Sequence, residues 1–173
     1  MKIRALKPSD FDDVVRAFYS YFPEAKDDPG FGLNLYRRRP GIEEEHKWFA
    51  EQLKQIRDGN RISLVAEVDS HVVGFCDVWR VRPGTPLDHR GTVGISVVKD
   101  HRGKGIGRAL LVEAIARSRG TFELLELTVL TNNKRALKLY ADLGFRRCGK
   151  LVRAMKRGGR YFDEYLMQLP LRD

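Results

Sequence analysis

Long apolar runs are absent from this sequence. No stretch of 18 or more apolar residues occurs, which argues against a transmembrane helix. The first ten residues, MKIRALKPSD, lack the apolar core of a secretory signal peptide. We therefore expect a cytoplasmic protein with no membrane partner.

Cysteine is scarce as well. The two cysteines, Cys76 and Cys148, stand far apart and show no C-x-x-C spacing. This pattern argues against a zinc site or a disulfide framework. We expect no bound metal and interpret both cysteines as reduced packing residues.

The composition is that of a folded globular chain, with 42% hydrophobic and 32% charged residues. A length of 173 residues suits one continuous core, so we expect a single domain spanning residues 1–173. The net charge of +9 attracts polyanions such as nucleic acid or phosphorylated cofactors. Because the basic residues are spread over several clusters, solvated faces or phosphate sites are favoured over nucleic acid.

The first half of the chain has the pattern of one strand and two helices. A short strand at 3–6 precedes a helix that we expect Ser9 to cap and Pro23 to end. A loop rich in proline and glycine follows, and a second helix ends at Gly59. The residues expected to face inward are Phe11, Val14, Val15, Phe18 and Phe22 on the first helix, and Trp48, Phe49, Leu53 and Ile56 on the second.

Alternating apolar residues from Arg61 onward predict three strands with short connections, which favours an antiparallel meander. The third of these strands leads through a glycine turn into a helix and another strand. This βαβ order predicts that the fourth and fifth strands of the chain are parallel. A last helix and a hairpin joined across KRGG complete the chain.

The glycine turn alternates glycines with basic residues directly before a helix: Arg102, Gly103, Lys104, Gly105, Gly107 and Arg108. Unpaired N–H groups at the positive end of a helix dipole form an anion site. The turn does not match a Walker loop, because Lys104 is followed by glycine rather than by a hydroxyl residue. It does not match the dinucleotide fingerprint either, because Arg108 and Leu110 stand where that motif has its last glycine.

The segment RGKGIG, Arg102 to Gly107, resembles the R/Q-x-x-G-x-G/A signature of the GNAT superfamily of acyl-CoA-dependent N-acyltransferases. A later segment resembles the second signature of that superfamily, N-x-x-A-x-x-L-Y-x-x-x-G-F, with matches at Asn133, Ala136, Leu139, Tyr140, Gly144 and Phe145. The resemblance in element order covers nearly the whole chain. It implies an α/β fold with a mixed central sheet that is antiparallel in its first half. It also implies that the sheet splays at the parallel fourth and fifth strands and has helices on both faces.

The resemblance also implies acetyl-CoA as co-substrate. Its pyrophosphate would lie on the backbone amides of Arg102 to Gly107, and its pantetheine arm would run beside the strand near Val97 and Val98. The implied cofactor-binding residues are Val97, Val98, Arg102, Gly103, Lys104, Gly105, Ile106, Gly107, Arg108, Asn133 and Ala136. Tyr140 stands where the superfamily often has a tyrosine that protonates or hydrogen-bonds the departing thiolate. Periodicity alone would favour a core tyrosine at this position.

The general base is left open. Many superfamily members carry a glutamate on the fourth strand, where this sequence has Thr92 and Gly94. The candidates elsewhere are Glu67, Asp77, Asp88, His89 and Glu126. A water chain, or an amine that arrives neutral, could replace a dedicated base.

The function implied is acetyl transfer to a primary amine of a small molecule, peptide or protein N-terminus by direct attack on the thioester. A cationic amine calls for an acidic cleft, which Glu43 to Glu45, Asp163 and Glu164 could supply. Phe31 and Tyr36, in the loop between the first two helices, either line the acceptor pocket or simply pack. The alternatives are a CoA-binding module without catalysis and an RNA- or ribosome-associated protein. The acceptor and a homodimer are left undecided.

Overall fold

A computed structural model describes residues 1–171 and contains one mixed seven-stranded sheet with helices on both faces. The strands are β1 (Lys2–Ala5), β2 (Arg61–Val68), β3 (His71–Arg80), β4 (Arg90–Val97), β5 (Leu124–Leu130), β6 (Arg146–Arg157) and β7 (Arg160–Pro170). The helices are α1 (Phe11–Asp27), α2 (Ile42–Arg57), α3 (Ile106–Ser118) and α4 (Lys134–Asp142).

The strand order is β1-β2-β3-β4-β5-β7-β6. Strands β1 to β4 are antiparallel neighbours, β4 and β5 are parallel, and β6 forms an antiparallel hairpin with β7. The predicted meander, parallel pair and terminal hairpin are therefore confirmed.

Side chains that alternate along β2 point into two separate cores. Leu64 and Ala66 belong to the larger core, which also contains residues of α3 and α4. Val65 belongs to a smaller core with Val14 of α1 and Phe49 of α2. Because successive strand residues face opposite sides of a sheet, this arrangement places α1 and α2 on one face and α3 on the other.

The predicted ends of α1 are wrong. The helix runs through Pro23 to Asp27 because its last turns are held by the buried side chains of Tyr21 and Ala25. At the other end, Asp10 replaces Ser9 as the N-cap residue, after a short 3₁₀ turn. The Asp10 carboxylate accepts a hydrogen bond from the Lys7 N–H at 2.7 Å and forms an ion pair with Arg4.

The two cysteines differ. Cys76 is fully buried in the larger core, as expected of a packing residue. Cys148 is exposed on edge strand β6, so its interpretation as a packing residue is wrong. Among residues 1–171, no cluster of three or more His, Cys, Asp or Glu side chains could hold a metal ion. Within the same range, every helix is too short or too polar to cross a bilayer.

Candidate active site

The parallel strands β4 and β5 pair only at their first residues. Arg90, Gly91 and Thr92 lie opposite Leu124, Leu125 and Glu126, and beyond this point no pairing of the two strands is found among the described residues. The strands part and leave a cleft of about 550 Å³, which we call the splay cleft. Its walls include Ser96 and Val97 of β4, Thr128 of β5, and the N-terminal ends of α3 and α4.

A row of backbone N–H groups without acceptors borders this opening. Within residues 1–171, the amides from Gly103 to Arg108 donate to no backbone carbonyl or side chain, as expected where a helix begins. Gly103 and Gly105 have φ angles of +84° and +81°, which L side chains rarely adopt. The buried Nδ1 atom of His101, on the same cleft, is also without a partner there. These unsatisfied groups at a helix N-terminus fit a diphosphate.

Arg102 has a structural role in this turn. Its Nε donates to the Val97 carbonyl at 2.8 Å, and its two Nη atoms bind the Glu24 carboxylate at 2.6 and 2.9 Å. Its guanidinium also lies over the ring of Phe31, 5.4 Å from the centroid. Arg102 thereby fastens the end of β4 to α1, and Glu24 neutralises its charge.

The splay cleft brings together most of the residues that the resemblance implied. Tyr140 lines it, together with Val97, Arg102, Gly103, Gly105, Ile106, Gly107, Arg108, Asn133 and Ala136. Val98 and Lys104 lie outside the lining. The Val98 N–H is bonded to the Val73 carbonyl of β3, and Lys104 is exposed.

Asn133 caps α4, because its side-chain oxygen accepts the Ala136 N–H at 3.1 Å. The loop after α1 lies against this cap. A Cβ on Gly32 would come within 2.9 Å of the Asn133 amide nitrogen. Asn133 therefore orients α4 and supports the loop as well as bordering the cleft.

Tyr140 lies on the buried face of α4 and is 8% exposed. Burial raises the pKa of its phenol, with Cys76 as a second cause. Its hydroxyl makes no hydrogen bond to another described residue, although buried tyrosines usually have a partner. The side chain is thus a protonated donor facing the cleft.

A second cleft, of about 640 Å³, lies between α1, α2 and β3, and we call it the helix cleft. Ser96 of β4 lines both clefts, so the two are adjacent at this residue. The walls of the helix cleft are largely apolar, with the rings of Phe18, Tyr36, Trp48 and Phe75 among them.

The loop between α1 and α2 borders both clefts. Its first part, including Phe31, lines the splay cleft, while Tyr36 in its second part lines the helix cleft. Arg157, near the tip of the β6–β7 hairpin, holds the loop by donating to the carbonyls of Phe31 and Leu33 at 2.6 and 2.5 Å. Phe31 and Tyr36 therefore serve different clefts.

Two carboxylates of α2 line the helix cleft. Glu44 binds Arg38 through two contacts of 2.9 Å and accepts the Gly41 N–H. Glu45 is only 3% exposed, and its Oε1 atom has no hydrogen-bond partner among the described residues. Burial raises the pKa of Glu45, and the adjacent Glu44 raises it further.

The other acidic candidates lie outside both clefts. Glu67 is bound to Arg4, Glu126 to Arg90 and Asp163 to Lys150. Glu43 is exposed on α2, and Glu164 lies on β7. The remaining base candidates, Asp77, Asp88 and His89, also contribute nothing to the lining of either cleft. Asp77 is buried against Ser63 and Arg61 instead.

Sequence reasoning missed the separate importance of Glu45 and the places of His101 and Arg135 on the splay cleft. A signal for Glu45 was available. It stands four residues before Phe49 and seven before Gln52, and these three share the buried face of α2. A charged residue on the buried face of a helix is unusual and therefore indicates a specific role.

Comparisons with known proteins agree with this geometry. Residues 31–145 match the model of the Acetyltransferase (GNAT) family. The chain is 31% identical over 127 residues to the L-methionine sulfoximine/L-methionine sulfone acetyltransferase of Pseudomonas aeruginosa, covering 72% of this chain and 71% of that protein. It is 31% identical over 119 residues to the phosphinothricin N-acetyltransferase of Alcaligenes faecalis, with 68% of this chain aligned. The chain spans about three fifths, 60%, of that second protein's length.

A solved structure shows the same fold. The GNAT superfamily phosphinothricin acetyltransferase from Sinorhizobium meliloti, in complex with AcCoA, superposes with a TM-score of 0.82 at 22% identity. The match covers 98% of this chain and 87% of that one.

The glycine turn can be tested with a matched pair of variants. Gly105 and Gly120 both have positive φ angles, and a Cβ added at either would have no atom within 4 Å, but only Gly105 lines the splay cleft. We expect Gly105→Ala and Gly120→Ala each to cost about 1 kcal/mol in the free energy of unfolding, measured in urea. Only Gly105→Ala should weaken CoA binding, by roughly tenfold in calorimetry, because the methyl group obstructs close approach to the backbone. Equal CoA affinities in the two variants would place the diphosphate elsewhere.

The buried carboxylate makes a prediction about stability. A carboxyl whose pKa is raised by folding binds more protons in the native state, so stability falls as pH rises from the unfolded to the folded pKa. Glu45→Gln removes this loss of stability. We expect the variant to raise the free energy of unfolding by about 1 kcal/mol at pH 7 and by less at pH 4. Urea unfolding at both pH values measures the difference, with exposed Glu43→Gln as the control. A variant less stable than the wild type at pH 7 would show that Glu45 is satisfied in the fold.

Proposed function

The chain belongs to the GNAT acetyltransferase family, and from this membership we propose that it transfers an acetyl group from acetyl-CoA to the primary amine of a small molecule. The observation that carries the proposal is that Ser96 lines both clefts, which makes them adjacent. One cleft suits the co-substrate and the other suits an acceptor. A junction between them is what direct transfer requires, because the two reactants must be brought into contact.

The splay cleft provides for the co-substrate. Its N–H row from Gly103 to Arg108 binds the diphosphate, with Arg108 and Arg135 adding positive charge. Acetyl-CoA, when bound, supplies the activated acyl group. The bound AcCoA of the structurally similar Sinorhizobium protein supports this co-substrate.

Tyr140 serves the leaving group. Its phenol is protonated at neutral pH, since burial raises its pKa, and it has no competing partner among the described residues. A thiolate of ordinary pKa near 8.5 accepts a hydrogen bond from such a donor as the C–S bond breaks. The role is that of a general acid at sulfur.

The helix cleft provides for the acceptor. Its volume of about 640 Å³ is in the range of small-molecule sites, and its rings favour an apolar body. Two carboxylates against one arginine make the lining acidic, which favours a cation. L-methionine sulfoximine, named for the Pseudomonas relative, is an α-amino acid of this size. We propose small primary amines with an apolar body, α-amino acids among them, as the acceptor class.

Release of CoA from acetyl-CoA tests the proposal. The panel comprises L-methionine sulfoximine, apolar amino acids, a polyamine and a short peptide, with the N-methylated and deaminated analogues of the best acceptor as controls. We expect turnover with the amino acids and none with the deaminated analogue. Turnover with the peptide alone would make a polypeptide N-terminus the acceptor.

Two other outcomes would replace the proposal. Tight CoA binding without turnover on any amine would make the protein a CoA-binding module. A salt-sensitive shift of RNA that persists at saturating CoA would make it an RNA-binding protein, because counterion release governs such binding.

The role of Tyr140 gives a separate prediction. We expect Tyr140→Phe to lower kcat by roughly tenfold to a hundredfold while the affinity for acetyl-CoA stays unchanged. Steady-state kinetics and calorimetry make the comparison. Tyr165→Phe is the control, since its hydroxyl lies outside both clefts. An unchanged kcat in Tyr140→Phe would show that the Tyr140 hydroxyl has no catalytic role and that the side chain only packs.

A further inference from the structure

Glu45 is a buried carboxylate for which the fold gives no partner. It stands in the first turn of α2, where the helix dipole favours a negative charge, but its side chain faces the helix cleft and not solvent. At 3% exposure it has lost its hydration, and Oε1 accepts no hydrogen bond from any described residue. Burying a charge in this way is costly unless something else satisfies it.

The neighbouring charges do not satisfy it. Among the described residues, Arg38 is the one cationic side chain in the lining of the helix cleft, and both its Nη atoms are held by Glu44. Glu44 also takes the Gly41 N–H, so the Arg38–Glu44 pair is complete without Glu45. One uncompensated negative charge therefore remains on an otherwise largely apolar wall.

A small molecule with an ammonium group and an apolar body complements such a wall. The ammonium donates to the Glu45 carboxylate, while the body packs against the rings of Phe18, Trp48 and Phe75. Resting on the function proposed above, we propose that Glu45 binds the ammonium group of the acceptor and takes a proton from it, acting as the general base. This assignment fills the role left open because β4 itself has Thr92 and Gly94 where many superfamily members carry a glutamate.

The proton balance of the step is complete. The Glu45 carboxylate accepts one proton from R–NH₃⁺, and the neutral amine forms the N–C bond to the acetyl carbonyl carbon. The C–S bond breaks, and sulfur takes a proton from Tyr140, which regains one from the nitrogen through water. Glu45 returns its proton to solvent. A carboxylate with a raised pKa is a stronger base, and both burial and Glu44 raise the pKa of Glu45.

The test compares Glu45→Gln with Glu43→Gln, which removes an exposed charge from the same turn of α2. For the best acceptor of the panel, we expect Glu45→Gln to lower kcat/KM at pH 7 by roughly a hundredfold while KM for acetyl-CoA is unchanged. The acid limb of the pH profile of kcat/KM should disappear in this variant alone. The other ionisable groups that line the cleft are Tyr21, Tyr36, Arg38 and Glu44, and Arg38 and Glu44 are paired. Wild-type kcat/KM, or an acid limb that persists in Glu45→Gln, would overturn the proposal.

A binding measurement separates this inference from the proposed function. Calorimetry with pentylamine as probe and pentanol as its neutral counterpart needs no acetyl-CoA. We expect Glu45→Gln to weaken pentylamine binding at least tenfold and to leave pentanol unaffected, with a melting temperature at or above that of the wild type. Equal pentylamine affinity in wild type and Glu45→Gln would overturn the ammonium site. If the wild type turns over no amine but binds pentylamine through Glu45, the proposed function fails and the ammonium site stands.

Discussion

The early end of the β4–β5 ladder is the constraint on which the rest of the structure depends. Parallel strands that stay paired leave no space between them, whereas these two separate after Thr92. The separation turns the start of α3 into a wall of a cleft, and the N–H groups from Gly103 to Arg108 at its edge have no acceptor among the described residues. Arg102 maintains the arrangement, because it ties the Val97 carbonyl at the end of β4 to Glu24 of α1.

The sequence predicted what depends on local pattern. Strand alternation and glycine spacing were enough to predict that β4 and β5 are parallel. The two signatures around Gly105 and Tyr140 were enough to name most of the expected residues that line the splay cleft. The prediction that Pro23 ends α1 was wrong, because the burial of Tyr21 and Ala25 outweighs the loss of one backbone N–H in the last turns of the helix. Propensity is a weak guide where tertiary packing decides.

The helix cleft was harder to predict, because its walls come from segments far apart in the chain. Glu45 faces it from α2, Phe75 from β3 and Ser96 from β4. The loop that borders it is held by Arg157, whose bond to the Phe31 carbonyl joins residues 126 positions apart. No periodicity encodes such a contact. Part of the positive net charge is also engaged inside the fold, since Arg4 and Arg102 bind carboxylates and Arg157 binds backbone carbonyls.

The loop between α1 and α2 forms part of the wall of both clefts, with Phe31 on one side and Tyr36 on the other. A ligand that shifts this segment in one cleft changes the shape of the other. Thermodynamic linkage makes this effect reciprocal. The factor by which the first ligand changes the affinity for the second equals the factor by which the second changes the affinity for the first. A shared wall of this kind makes the loop a means by which two substrates can influence each other's binding without touching.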